Sequence, residues 1–295
     1  MKVLVTGGTG FVGHAIVHAF RARDLDVRML ARRPENGSHL TAIGADVVTG
    51  DLTRPETLAP ALAGCTHVVN LVAIIKGKPE DFQRVMTDGT ASLLAAAKEG
   101  GIERFVQMSA LGTNEQTKEL VPYFKAKWEI ERAVESSGLE YAIVRPSFVF
   151  GRGGALPTFV RQVKVAPVVT VIGPGTQRIQ PIWLDDVAQF FATIVDDPRA
   201  TGRIWEIGGP DVVTWNELYL TIARVLGKQR RLVHVPIGVV RAGARLTQWA
   251  PGAPLSVDQV TMIDAGDNVC SNTDAQDTFS LPLVTLEDQL RRATA

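Results

Sequence analysis

The chain has 295 residues, 45% of them hydrophobic, and its 31 Lys and Arg balance 31 Asp and Glu for a formal net charge of +0. This length and apolar content support a large buried core, in one extended domain or two unequal ones, while neutrality excludes nucleic acid as the main partner, because phosphate binding needs a basic excess. Cys65 and Cys270 stand far apart and at no metal-ligand spacing from the histidines, so neither a disulfide framework nor a metal site is expected, as in a reduced cytoplasmic protein.

Lys2 to Thr6 is an apolar strand that runs straight into Gly7-Gly8-Thr9-Gly10-Phe11-Val12-Gly13. Val12, Ala15, Ile16 and Ala19 then recur at helical spacing. Strand, glycine turn and helix in this order form a phosphate cradle: Gly7 and Gly8 permit the tight turn, Gly10 lets backbone approach a pyrophosphate, and Gly13 allows close packing of helix on strand. The apolar start is broken by these glycines and does not read as a signal peptide. The longest apolar run, near Val68 to Ile75, is too short to span a membrane.

Further strands are predicted at Asp26–Ala31, at Asp46–Thr49 before Gly50-Asp51-Leu52, and at His67–Ala73, which is apolar enough to be buried on both faces. A helix over Asp81–Glu99 ends at Gly100-Gly101. Strands Arg104–Ser109 and Tyr141–Arg145 flank a helix that begins near Pro122 and stops at Gly138. Such alternation predicts an α/β fold, a doubly wound parallel sheet with a second, smaller carboxyl-terminal region. The dinucleotide-binding domain is expected over residues 1–150, with 179–209 returning to it. The smaller region then covers 151–178 and 210–295. Ligand is expected at the carboxyl ends of the strands.

An acidic residue at the end of the second strand would accept from the ribose 2′-hydroxyl of NAD. Here that place holds Arg32 and Arg33, whose guanidinium groups suit a 2′-phosphate, so NADP(H) is the expected cofactor. Two solvated surface arginines fit the same pattern. Asp51 is either an acceptor for the adenine amino group or a structural turn residue.

Tyr123 and Lys127 lie four residues apart on one helix and face the same way. A lysine cation beside a phenol favours the phenolate, which turns a poor acid or base into a usable one, and the same lysine can hold the nicotinamide ribose. Neither Tyr141 nor Tyr219 has such a partner. His14 fits a phosphate contact or, more simply, a surface position on the first helical turn, and Trp183, Trp205, Trp215 and Trp249 read as core or interface aromatics.

Tyr123-Phe-Lys-Ala-Lys127, the amino-terminal Thr-Gly-Gly-Thr-Gly-Phe-Val-Gly and Arg145-Pro-Ser-Phe-Val-Phe-Gly151 together resemble the extended or atypical short-chain dehydrogenase/reductase superfamily, which is NAD(P)-dependent and epimerase/dehydratase-like. Gln180-Pro-Ile-Trp-Leu-Asp-Asp-Val-Ala188, Ile207-Gly-Gly-Pro210 and Asp267-Asn-Val269 resemble the branch that includes the nucleotide-binding accessory subunit of respiratory complex I. This resemblance implies Tyr123, Lys127 and Ser109 as catalytic residues. It implies cofactor contacts at Gly7, Thr9, Gly10, Phe11, Val12, Gly13, Arg32, Arg33, Asp51, Leu52, Val72, Ala73, Ser109, Tyr123, Lys127, Pro146, Ser147 and Phe148. The chain departs from the family in one respect. The Ser or Thr hydroxyl that polarises the substrate carbonyl falls on Ala110, with Ser109 one residue short, and losing such a donor costs roughly two or more orders of magnitude in rate.

Two function classes therefore stand: an NADP(H)-dependent oxidoreductase acting on a small carbonyl or hydroxyl substrate through Tyr123 and Lys127, and a non-catalytic subunit that holds NADP(H) in a larger assembly. Residues 224–249 add a local basic excess, with Arg224, Lys228, Arg230, Arg231, His234, Arg241 and Arg245 and no acid among them. Val239, Ala242, Leu246 and Trp249 recur at helical spacing. This segment reads either as a peripheral contact with a protein complex or an anionic membrane surface, or as a helix packed on its own domain with solvated arginines outside.

Overall fold

The computed structural model describes residues 1–247 and 255–294. Strands β1 (Lys2–Thr6), β2 (Asp26–Ala31), β3 (Asp46–Thr49), β4 (His67–Asn70), β5 (Arg104–Met108) and β6 (Glu140–Pro146) are connected by helices α1 (Phe11–Ala22), α2 (Ser38–Thr41), α3 (Leu58–Leu62), α4 (Pro79–Phe82), α5 (Gly89–Glu99) and α6 (Pro122–Glu135). Then follow β7 (Val149–Phe150), α7 (Leu156–Val165), β8 (Val168–Ile172), β9 (Arg178–Ile179), β10 (Ile182–Trp183), α8 (Leu184–Ile194) and β11 (Arg203–Ile207). The chain ends with β12 (Val213–Thr214), α9 (Trp215–Val225), β13 (Arg231–Val235), α10 (Ile237–Thr247), α11 (Val257–Asp264), α12 (Thr273–Phe279) and α13 (Leu286–Thr294).

Two compact units are formed. The first comprises Met1–Pro146, Leu184–Ile207 and Asn272–Leu281. Its seven strands run parallel in the order β11-β6-β5-β4-β1-β2-β3. Strand order reverses between β1 and β4, so a crevice opens there at the carboxyl ends, the place where such sheets take their ligands. Leu4, Val68, Phe105 and Ile143 are buried on one face of the central strands and Val3, Val5, Val69 and Val106 on the other, which explains why these strands read as nearly continuous apolar runs. On α1, Ile16, Val17, Ala19 and Phe20 are buried.

Two boundaries differ from the sequence expectation. β4 ends at Asn70 rather than Ala73, because Leu71 and Val72 lie directly against the glycine turn; a Cβ on Gly7 would stand 3.0 Å from the Leu71 carbonyl carbon. The helix expected over 81–99 begins at Pro79 and contains a π-helical turn, Gln83–Asp88, between α4 and α5. α12 belongs to the first unit because Phe279 packs edge-on against Trp205 and Phe190, with ring centroids 5.1 and 5.7 Å away, and Arg199 covers its face.

The second unit comprises Ser147–Trp183, Gly208–Ser271 and Pro282–Ala295. It holds three small sheets: β7 with β10 and β8 with β13, both parallel, and β9 with β12, antiparallel. Phe150, Trp183, Trp215, Leu218 and Leu290 form its core. Thr214 and Glu217 cap α9 reciprocally, the Thr214 N–H donating to Glu217 Oε2 at 2.7 Å and the Glu217 N–H to Thr214 Oγ1 at 3.1 Å, an arrangement that satisfies two otherwise orphaned donors. Asp267 of the Asp-Asn-Val motif ties its loop to β9, accepting from the Arg178 N–H at 2.7 Å and from its guanidinium at 2.8 Å. Trp183, Trp205 and Trp215 are all buried core residues, whereas Trp249 lies outside the described residues.

Candidate active site

The glycine turn closes through a hydrogen bond from the Gly10 N–H to the Gly7 carbonyl at 3.0 Å. Gly7 has φ +73°, a conformation that favours glycine. At Gly13 a Cβ would meet the Gly7 carbonyl oxygen at 2.2 Å, so α1 packs onto the turn as only glycine allows. No side chain caps the N-terminus of α1 at Gly10. Its first N–H groups therefore face a cradle that Thr9 and Gly10 leave exposed and that Phe11 and Val12 flank, which suits a diphosphate. His14 stacks on His39, with centroids 4.8 Å apart, and lies 4.5 Å from His18. Burial, His18 and His39 all push its pKa down.

Arg32 and Arg33 follow β2 and are exposed. Together with Thr9 and Asn36 they line a cavity of about 390 Å³ beside the turn. Two guanidinium groups and no carboxylate line it, a composition fit for a phosphate. Asp51 Oδ1 accepts from both the N–H and the hydroxyl of Thr53 at 2.9 Å, a turn-stabilising role that leaves Oδ2 for any other partner. Leu52 is buried near Gly89, while Val72 follows β4 beside the glycine turn and Ala73, next to it, is exposed.

On α6, Pro122 occupies the first helical turn, where its missing N–H costs nothing, and Tyr123 follows directly. Lys127, one turn on, is fully buried, and its Nζ donates to the Met108 carbonyl at 2.8 Å, 5.7 Å from the Tyr123 ring centroid. Burial lowers its pKa to about 8 against the opposing pull of Glu131. Burial pushes the Tyr123 phenol up to about 12, the opposite direction to the lowering that a neighbouring lysine cation alone would give. Ser109 is buried at the end of β5, held by its N–H to the Val144 carbonyl at 2.7 Å, and its Oγ has no hydrogen-bond partner among the described residues. Buried hydroxyls are normally paired, and an orphaned one fits a site built for a ligand atom. The next hydroxyl in the loop, Thr113, is engaged by the Ala110 carbonyl at 2.8 Å.

Pro146 closes β6 and its carbonyl accepts from the Leu111 N–H at 3.0 Å. Ser147 and Phe148 belong to the second unit. There the Ser147 hydroxyl donates to the Gln180 carbonyl, and Phe148 joins a cluster of Phe150, Phe159 and Trp215.

Sequence reasoning missed two polar networks around Lys127. In the first, Thr6 Oγ1 donates to Asn70 Oδ1 at 2.6 Å, and Asn70 Nδ2 donates to Thr90 Oγ1 at 3.0 Å and to Gln107 Oε1 at 2.8 Å. Gln107 Nε2 then donates at 2.7 Å to the same Met108 carbonyl that accepts from Lys127. All four side chains are buried across β1, β4, β5 and α5. In the second, buried Glu131 accepts two hydrogen bonds from Arg145, and Arg145 Nη1 donates to Glu206 at 3.0 Å. A polar residue on the inward side of an otherwise apolar strand was the available signal for Asn70 and Gln107. Among the described residues no group of three or more His, Cys, Asp or Glu could hold a metal ion.

Residues 3–208 match the NAD dependent epimerase/dehydratase family. The chain belongs to that family. It is 30% identical over 252 residues to ceramide reductase of Caulobacter vibrioides, covering 84% of this chain and 78% of that one. It is 29% identical over 249 residues to NADH dehydrogenase [ubiquinone] 1 alpha subcomplex subunit 9 of Arabidopsis thaliana mitochondria, covering 81% of this chain but only 61% of that subunit. Its fold superimposes on an Escherichia coli NADPH-dependent quinone oxidoreductase complexed with NADPH, with TM-score 0.82, 18% identity, and coverage of 99% and 100% of the two chains. The family is NAD(P)-dependent and its members' names span reductases and a respiratory-complex subunit.

Proposed function

We propose that the chain binds NADP(H) and acts as an oxidoreductase on a small carbonyl or alcohol substrate, with Tyr123, Lys127 and Ser109 in the reaction. The observation that carries this reading is the buried Lys127 ammonium, one turn from Tyr123, bound to the carbonyl of Met108, the residue that precedes Ser109 with its unpartnered hydroxyl. Thr9, Arg32, Arg33 and Asn36 would hold the 2′-phosphate end in their cavity, the glycine turn the diphosphate, and Lys127 the nicotinamide ribose. When bound there, the cofactor would supply the hydride that reduces the carbonyl carbon. Ser109 Oγ donates a hydrogen bond to the carbonyl oxygen, standing in for the hydroxyl that Ala110 lacks. Tyr123, whose phenol is protonated in the neutral range, gives its proton to that oxygen as the alcohol forms.

Spectroscopy and mass spectrometry of the purified chain test the proposal by showing whether NADP(H) co-purifies and whether carbonyl compounds oxidise it. Tyr123→Phe should bind NADPH as the unaltered chain does while losing turnover. Turnover that survives this change would remove Tyr123 from the chemistry.

Ala110 also favours a second reading, in which the chain holds NADP(H) without turnover as a subunit of a larger assembly. Tight co-purifying cofactor that no carbonyl compound oxidises would decide for it.

A further inference from the structure

The basic segment that the candidate site does not use forms part of the surface of the second unit. Between Glu217 and Asp258 the chain has no acidic residue, although it is neutral overall. α10 is amphipathic, but its apolar stripe is not turned wholly inward: Val239 is 61% and Leu246 85% exposed, two turns apart on one line, with exposed Ala242 and Gly243 between them. Ala244 is the buried contact of the helix. Arg241 is held by Asp264 at 3.0 Å, while Arg245, next to Leu246, has no acidic partner among the described residues.

β13 leads into α10 through Pro236 and carries the same chemistry. Arg231 pairs in register with Val168 on β8, and Arg231, Val168 and Val233 are all exposed, Val233 at 49%. Arg230 Nε donates to the Val163 carbonyl at 2.8 Å, which brings this end of β13 to the end of α7, where Lys164 and Val165 are exposed. Neither Arg231 nor Lys164 meets an acid among the described residues. Exposed aliphatic side chains with unpaired cations beside them are thus spread over three elements rather than gathered in a groove.

We propose that α10 and β13 of the second unit dock on an anionic phospholipid surface. Val239 and Leu246 would enter the boundary between headgroups and acyl chains, while Lys164, Arg231 and Arg245 meet lipid phosphates. Charge complementarity selects this occupant: exposed aliphatic side chains with cations beside them on three elements, in a segment that has no carboxylate between Glu217 and Asp258, match a fluid, uniformly negative surface, whereas a shaped acidic peptide would call for converging cations. No helix among the described residues is long and apolar enough to cross a membrane, so the contact is peripheral. This inference is independent of whether Tyr123 does chemistry.

Co-sedimentation of the full chain with phosphatidylcholine vesicles, with and without phosphatidylglycerol, tests it. Binding is expected to the anionic vesicles at low salt, at least ten-fold weaker with phosphatidylcholine alone, and lost as salt rises. Val239→Asp with Leu246→Asp, and separately Arg231→Glu with Arg245→Glu, should each weaken vesicle binding at least ten-fold with unchanged thermal unfolding and unchanged NADPH binding. No binding to anionic vesicles at low salt would overturn the proposal, as would variants that bind like the parent chain. A dimer in solution that Leu246→Asp dissociates would also overturn it, assigning the face to a second copy.

Discussion

Glu131 accepts two hydrogen bonds from Arg145, Nε to Oε1 at 2.8 Å and Nη2 to Oε2 at 2.7 Å, one helical turn beyond Lys127. The pair is almost completely buried, with Glu131 at 0% and Arg145 at 14% side-chain exposure. Lys127, Glu131, Arg145 and Glu206 therefore form a row of alternating charge from α6 through β6 to β11. Glu131→Gln breaks the row at its centre. It should destabilise the fold by about 3 kcal/mol, because Arg145 keeps only Glu206, and should lower the Lys127 pKa further. Denaturant titration reads the first effect and lysine side-chain NMR of the cofactor-free protein the second. A Lys127 titration unmoved by the change would show that Glu131 only anchors Arg145.

Lys127 titrates near 8 in the folded chain, against 10.5 for a free lysine, because burial disfavours its cation. Between those values the unfolded chain holds a proton that the folded chain has released. Stability should therefore rise from about pH 8 to about pH 10.5, by about 3 kcal/mol. Tyr123 and Tyr219, both pushed up to about 12, oppose this above pH 10, where the unfolded chain loses protons that the folded chain keeps. Lys127→Met should abolish the rise and leave the protein more stable than its parent at pH 7, while weakening NADPH binding. Urea unfolding at pH 7, 8.5 and 9.5 measures the slope, and an unchanged slope would mean that another group carries it.

Replacing Arg32 and Arg33 by Gln should weaken NADPH at least ten-fold more than NADH, since each charge-assisted hydrogen bond to a 2′-phosphate contributes about 1.5–3 kcal/mol. Fluorescence titration with both cofactors is the measurement. Equal losses would make the two arginines ordinary surface residues and the cavity beside Thr9 incidental.

Two glycine substitutions should act in opposite directions. Gly13→Ala drives a Cβ to 2.2 Å from the Gly7 carbonyl oxygen and 2.7 Å from Gly8 Cα, both backbone atoms, and should cost about 3 kcal/mol along with cofactor affinity. Gly243→Ala, in open space on α10, should stabilise by about 0.5–1 kcal/mol. Thermal unfolding of the pair separates them, and a tolerated Gly13→Ala would mean that α1 shifts freely from the turn.

The sheet and the glycine cradle were legible in the sequence because both depend on local pattern: the apolar run of β1, the turn at Gly7, and the helical spacing from Val12 to Ala19. Tyr123 and Lys127 were legible for the same reason, since four residues on a helix make one face. Their proton affinities were not. Burial, which pushes Tyr123 up and Lys127 down, is set by the elements packed around them and not by spacing on one helix. Asn70 and Gln107 lie 37 residues apart, and Arg145 and Glu131 come from different elements, so no periodicity connects them. Phe279 joins the first unit through contacts with Trp205 and Phe190 that a short polar helix does not announce.

The path of the chain between the two units bears on how the molecule can be dissected. It crosses after Pro146, Trp183, Ile207, Ser271 and Leu281, so neither unit is a contiguous stretch that a single pair of primers could excise. A fragment ending at Pro146 would leave β6 without its neighbour β11, exposing a raw sheet edge. One ending at Ser271 would strip Phe279 from the rings of Trp205 and Phe190. Genes shortened from the carboxyl end should therefore yield insoluble products rather than a free cofactor-binding half.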